Sequence, residues 1–372
     1  MGPITYTFEE LVAHKEKGSL PEKALEKLRL DAEAILEKPT VSVTKINLPR
    51  PSGDIHDYVS VAPYRWPNPD TPDGLPWIPK DGIVNPDTMS GNKIGDLYGR
   101  IIKLALAAFY FPERAEAYAE YGNRQLYDWF INPETRMNPN ARYAQGIPGI
   151  CDGRASGLID FGCSYPFFNA VGILEAMGLL DAEILRGVKA WYVEFTDWIL
   201  TDEFGLIIDR GHDNHATWHD ANIIASAFFN DRAALKRNIA ITAYENRVKF
   251  FIAPDGSQPE ELKRTKGMGY SFYNLDAMLL IAALSEKLGI KNYWETDSER
   301  GTCVIKSAVD YLYPYVINPE SFPYQELHPG TYGSRMARVM LVLDKRFPGE
   351  GYAERAAALM SGNEEWLLEP LL

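Results

Sequence analysis

The stretch LYGRIIKLALAAFY, residues 97–110, decides the fold class. Its Leu97, Ile101, Leu104 and Ala108 recur every three or four positions and line one face of a helix. The same period returns in Ile184, Val188, Trp191, Phe195 and Trp198, and again in Leu275, Met278, Leu279 and Ala282. Working outward, further helices are expected over 21–38, 113–131, 155–178, 218–229, 232–252, 302–316, 334–345 and 352–360. One short run, Val41 to Ile46, reads as a strand, which is too little for a sheet to organise the core. Long helices punctuated by Gly, Pro and Asn pack as antiparallel hairpins, in a bundle, a solenoid or a closed toroid. The lack of a fixed-period repeat disfavours the solenoid.

At 372 residues, with 46% hydrophobic and 24% charged, the chain has enough apolar material for a substantial core. No stretch approaches the roughly 20 consecutive apolar residues of a membrane-spanning helix, so no membrane is expected as a partner. A net charge of -13 argues against nucleic acid and anionic lipid, and obliges any anionic substrate to find a locally basic cleft. Cys151, Cys163 and Cys303 lack the spacing of a zinc site and read as buried thiols. The opening MGPITYTFEELVAHKEKG has no apolar signal-peptide core and places Tyr6 where myristoylation requires Ser or Thr. An intracellular chain and a mature secreted form both fit.

Residues 47–86 differ from the rest. They are rich in Pro, Gly and Asp, yet they carry Tyr58, Tyr64, Trp66 and Trp77, which a mere linker would not need. They read as an arm packed on the helical body, as a lid over a cleft, or as both. The whole of 1–372 is expected to form one domain with this arm as an appendage.

The densest chemistry lies at Arg210, His212, Asp213, Asn214, His215, Trp218, His219 and Asp220, with three of the six histidines. Three readings stay open. His215 and His219, four apart, match zinc-ligand spacing, although HATWH lacks the Glu of a metalloprotease site. Alternatively Asp213 or Asn214 caps a helix starting near Ala216, and the histidines are ordinary surface or core residues. The third reading is a catalytic turn presenting Asn214 and His215 at a helix N-terminus, where partial positive charge favours an anion. In a second cluster, 254–278, Glu260, Glu261, Lys263, Arg264 and Lys266 precede Gly267, Gly269 and Tyr270 at the head of an apolar helix. The glycines permit close backbone approach, and Arg264 or Lys266 beside the Tyr270 phenol would lower its pKa. Equally, Tyr270, Phe272 and Tyr273 are helix-packing aromatics and the charges are solvated.

Five ordered motifs carry a family resemblance: SVAPYRWPNPDTPDGLPWIPKDG, YAQGIPG with GRASGLID, DNHATWHDAN, DGSQPEELKRTKGMGYSFYNLDAM and FPYQEL. Together, over about residues 55–328, they resemble the alginate lyase domain family of polysaccharide lyases. The spacing from Arg264 to Tyr270 is closer to family thirty-eight, which acts on glucuronan and mannuronate-rich polymers, than to family five. Asp213 stands where many relatives have Asn. The resemblance implies an all-α fold, an incomplete α/α toroid with the active site in a groove across its mouth. It also implies β-elimination on a 4-linked uronic acid polymer such as glucuronan or polymannuronate, without cofactor or metal, by a monomer that is secreted or periplasmic.

By the same resemblance Tyr270, His215, Asn214 and Arg264 are catalytic, and Tyr64, Arg65, Trp66, Gln145, Trp218, His219 and Lys266 bind substrate. The chemistry agrees: removing the weakly acidic C5 proton requires the adjacent carboxylate to be neutralised, a role suited to Asn214 and His215 with Arg264 nearby. A base then takes the proton and an acid protonates O4. His219, one turn on, is placed to orient His215, while Arg154 and Asp160 read as braces. The competing function is a glycoside hydrolase using Asp160 and Asp220 as paired carboxylates. A non-catalytic carbohydrate-binding protein is disfavoured by the joint presence of Asn214, His215, Arg264 and Tyr270.

Overall fold

Leu97, Ile101, Leu104 and Ala108 are all fully buried in a helix spanning Lys93–Tyr110. The structure, a computed structural model, describes residues 2–18, 20–91 and 93–372. The chain packs as two compact units, one of Met1–Ile4, Leu28–Gly211 and Ala225–Asp231, the other of Thr5–Lys27, His212–Ile224 and Arg232–Leu372.

In the first unit, Lys93–Tyr110 and Ala115–Phe130 are joined by the short turn Pro112–Arg114, and Tyr165–Ala176 is followed closely by Ala182–Thr201. Connections this short make antiparallel neighbours. The helix Lys93–Tyr110 packs on both Ala115–Phe130 and Tyr165–Ala176. Aromatic rings pack Ala115–Phe130 against Ala182–Thr201: Phe130 meets Trp191 edge-on at 5.1 Å, and Trp191 stacks on Phe195 of its own helix at 4.9 Å. Such pairs add roughly 0.5–1.5 kcal/mol beyond their burial.

Two sequence expectations are corrected here. Residues 155–178 do not form one helix: a 3-10 segment, Ala155–Phe161, is separated by Gly162–Ser164 from the helix Tyr165–Ala176. Eight residues of that helix are buried, so its apolar character is spent on the core. The run Val41 to Ile46 is not a strand. Ser42 caps a 3-10 turn over Val43–Lys45, and the backbone of Val41 pairs with the side chain of Gln125, whose amide donates to Val41 O and accepts from Val41 N, both at 2.8 Å. One carboxamide thus replaces a neighbouring strand.

The short strands lie elsewhere. Val59–Val61 pairs in parallel with Tyr143–Gly146, and Arg65–Trp66 pairs antiparallel with Ile78–Pro79. The arm is therefore fastened to its own unit. Tyr58 is fully buried, and its hydroxyl donates to Asp160 at 3.1 Å.

In the second unit the helix Gly267–Glu286 buries fifteen of its residues, far more than one stripe. An element apolar on nearly every side belongs at the centre of a layer. It packs against Ala233–Ala243 and Val304–Ile317, and the latter packs in turn against Gly333–Asp344. The expected helix over 232–252 contains a π-helical stretch, Tyr244–Lys249, and the one expected at 352–360 ends at Ala357. Before Gly267–Glu286 the chain turns at Gly256, with φ +89°, where a Cβ would lie 2.2 Å from Ser307 O. Only glycine fits there.

Candidate active site

The helix Asn214–Phe229 begins four residues before the 218–229 that its apolar pattern suggests. Asp213 starts it, accepting the His215 N–H on Oδ1 at 3.0 Å. The same oxygen lies 3.1 Å from His215 Nδ1. Burial raises the Asp213 pKa, but its hydrogen bonds and charge attraction to His215, with Arg264 nearby, outweigh this and hold the carboxyl below its ordinary value. The ionised carboxylate makes Nδ1 the donor and leaves Nε2 as the ring's outward nitrogen. The residue that starts the helix is thus also the one that engages the His215 ring.

Asn214, 1% exposed, is held by a carboxylate that the sequence suggested was solvated. Glu261 is also 1% exposed and accepts the Asn214 backbone N–H at 2.6 Å and its side-chain amide at 2.7 Å. Burial pushes the Glu261 pKa up to about 7, against the lowering effect of the Asn214 hydrogen bond, and the Asp213 charge pushes the same way as burial.

Tyr270 sits in the first turn of Gly267–Glu286, partly exposed. Arg264 Nη2 donates to its hydroxyl at 2.8 Å, and the guanidinium lies 3.9 Å from the ring centroid. The end of this helix is secured by Glu326, which the FPYQEL motif supplies and to which sequence reasoning gave no role. Its Oε2 accepts the N–H groups of Met268 and Gly269 at 3.1 Å each, while Oε1 accepts Tyr332 Oη–H at 2.9 Å. A carboxylate at a helix N-terminus satisfies orphan donors and complements the dipole. Lys266 immediately precedes this helix, and its backbone bridges to Glu326.

Within this second unit, Asn214 and Glu261 are joined by hydrogen bonds, as are Asp213 and His215, and Arg264 and Tyr270. Two of the residues expected to bind substrate lie in the interior. Trp218 is 1% exposed, donates Nε1–H to Tyr273 O at 3.1 Å and packs on the Tyr273 ring at 5.1 Å, so it anchors the turn from below. His219 is 8% exposed on the same helix. The remaining histidine, His212, packs its ring against Phe250 at 5.5 Å.

The first unit holds Tyr64, Arg65, Trp66 and Gln145. Gln145 is buried too: its amide donates to Asp160 at 2.7 Å and accepts from Arg154 at 2.6 Å, and it is 5% exposed. Trp66 is half-buried, donating to Ile83 O at 3.1 Å beneath the ammonium of Lys80, 4.6 Å from the ring centroid. Arg65 and Tyr64 are also half-buried, and Arg65 O accepts Asn85 Nδ2–H at 2.9 Å. The thiols differ from expectation too: Cys303 is buried, Cys151 half-buried and Cys163 exposed.

The carboxylates of the hydrolase reading are committed. Asp220, 3% exposed, is paired with Arg247 at 2.9 Å, an arginine carried by the π-helical stretch. Asp160 is held by Ser60, Gln145 and Tyr58, and burial raises its pKa against those hydrogen bonds.

The Alginate lyase family model matches residues 42–322. An alginate lyase from Bacteroides ovatus is 31% identical in sequence, with a TM-score of 0.91, 99% of this chain and 98% of that one being covered. Alginate lyase A1-III from Sphingomonas species A1 is 16% identical, with a TM-score of 0.57 over 95% of this chain and 98% of that one, a likeness of fold alone. No curated protein matches at the same stringency. The fold class is all-α, of the α/α-toroid type. On the family match and the likeness to the Bacteroides enzyme, the chain belongs to the alginate lyase family of polysaccharide lyases.

Proposed function

We propose that this polysaccharide lyase cleaves glucuronan or mannuronate-rich alginate by syn β-elimination, leaving 4,5-unsaturated uronate ends. The observation that carries this reading is the Arg264 guanidinium donating to the Tyr270 hydroxyl at 2.8 Å, at the head of a partly exposed helix turn. A cation donating to a phenol oxygen favours the phenolate. That oxygen takes H5 from the sugar, the electron pair forms the C4–C5 double bond, and the C4–O4 bond breaks. The proton then returns from Tyr270 to O4 of the leaving sugar. In β-linked glucuronate and mannuronate H5 and O4 lie on one side of the ring, so a single group serves both steps.

Negative charge develops on the C6 carboxylate as H5 leaves. Donors aimed at that charge lower the barrier, and Asn214, His215 and Arg264 supply them. A preorganised donor of this kind is worth roughly 3–4 kcal/mol. The substrate role of Tyr64, Arg65 and Trp66 rests on the resemblance of the arm motif.

The test is a panel of glucuronan, polymannuronate, polyguluronate and hyaluronan at matched chain length, read by the ultraviolet absorbance of the new conjugated double bond. Glucuronan and polymannuronate should be cleaved fastest. Guluronate has the opposite C5 configuration, so a preference for polyguluronate overturns the single-tyrosine mechanism and moves the base to His215. Release of reducing ends without that absorbance restores the hydrolase.

A further inference from the structure

Glu261 has no place in the elimination chemistry above, yet its carboxyl is bonded to one of the neutralising residues, Asn214. Its carboxyl holds Asn214 by the backbone N–H and the side-chain amide, at 2.6 and 2.7 Å. Its backbone carbonyl accepts the backbone N–H of Arg264 at 3.1 Å, closing the turn that leads from Glu261 to that residue. It lies in the four-residue helix Pro259–Leu262, whose preceding residue, Gln258, donates to Ser271 O at 3.0 Å and accepts from Asn274 Nδ2 at 2.9 Å on the Tyr270 helix. One buried turn is thus bonded to Asn214, to Arg264 and to the helix that carries Tyr270.

We infer that Glu261 is a positioning residue that fixes the direction of the Asn214 amide, so that this donor is aimed at the C6 carboxylate of the substrate. The inference rests on the lyase reading. An amide nitrogen has two hydrogens. With one held by Glu261, the second has a single direction left, and no rotamer search is needed when charge develops. Without the carboxyl, Asn214 keeps its place in the chain but loses its orientation. A misplacement of about 1 Å at such a group costs on the order of 10²-fold in rate. Burial raises the Glu261 pKa, while the two Asn214 N–H groups on its two oxygens act the other way.

The experiment is a double-mutant cycle on full-length protein with polymannuronate, measuring kcat and KM by release of unsaturated ends. Glu261→Ala is expected to lower kcat about 100-fold with KM little changed. Glu261→Gln, which keeps the volume and one acceptor, should recover kcat to within about tenfold of wild type. Asn214→Ala combined with Glu261→Ala should be no slower than Asn214→Ala alone, because the second loss acts through the first. Losses that multiply in the double variant, or a change in KM alone, overturn the inference. If Glu261→Ala does not fold, the cycle run with Glu261→Gln gives the same comparison. A wild-type enzyme that releases no unsaturated ends overturns the lyase reading with it, whereas multiplied losses in an active enzyme overturn the inference alone.

Discussion

Replacing Tyr270 by Phe separates packing from proton transfer. The ring stays, and with it the face that Arg264 covers at 3.9 Å. What disappears is one hydrogen bond, from Arg264 at 2.8 Å, to a hydroxyl on a partly exposed residue. Such a charge-assisted bond, discounted for solvent, is worth about 1 kcal/mol, which should lower the melting temperature by only about 1–2 °C. Catalysis loses both proton steps. General acid–base transfer contributes about 10²–10⁴-fold, so a fall in kcat of at least about 10³-fold is expected, a barrier increase of about 4 kcal/mol. KM should hardly move, since Asn214, His215 and Arg264 remain. Initial rates on polymannuronate, with a thermal melt of the same preparation, measure both. Activity within about tenfold of wild type, with the fold intact, would refute Tyr270 as the shuttle.

Other outcomes follow from the same geometry. Dialysis against EDTA should leave activity unchanged, since His215 is engaged by Asp213 and His212 packs on Phe250; loss restored by one divalent ion would reinstate a metal site. Gly269→Ala places a Cβ 2.6 Å from the Tyr332 hydroxyl, which Glu326 pins, so stability should fall by about 1–3 kcal/mol and recover when Tyr332→Phe is added. Glu261 takes its proton more readily in the folded state, its pKa moving from 4.5 to about 7. Its stabilising effect is therefore complete below about pH 4.5 and is lost as pH rises through 7, by roughly 3 kcal/mol at about 1.4 kcal/mol per pH unit. Denaturant titrations of wild type and Glu261→Gln should diverge over that window, and parallel curves would contradict it.

Much of this was legible in the chain. The period of Leu97, Ile101, Leu104 and Ala108 identified a helix because a local repeat determines which face is apolar, whatever the partner. The five ordered motifs, those around Asn214 and Tyr270 among them, identified the family because several such runs in one order are far more specific than any one alone. Periodicity failed where a distant side chain intervened: Gln125 satisfies the backbone of Val41 and leaves a 3-10 turn where β-branched residues suggested a strand.

By itself, then, the sequence determined the helical class and the family. Tertiary structure alone decided which polar side chains are spent on the fold. Trp218 and Gln145 carry groups suited to sugar binding, but Tyr273 and Asp160 claim them. Glu261 reads as one more charge in a solvated run, yet burial beside Asn214, 47 positions earlier in the chain, raises its pKa and makes it part of the site. Exposure and protonation depend on neighbours brought from far along the chain, and no local pattern encodes them.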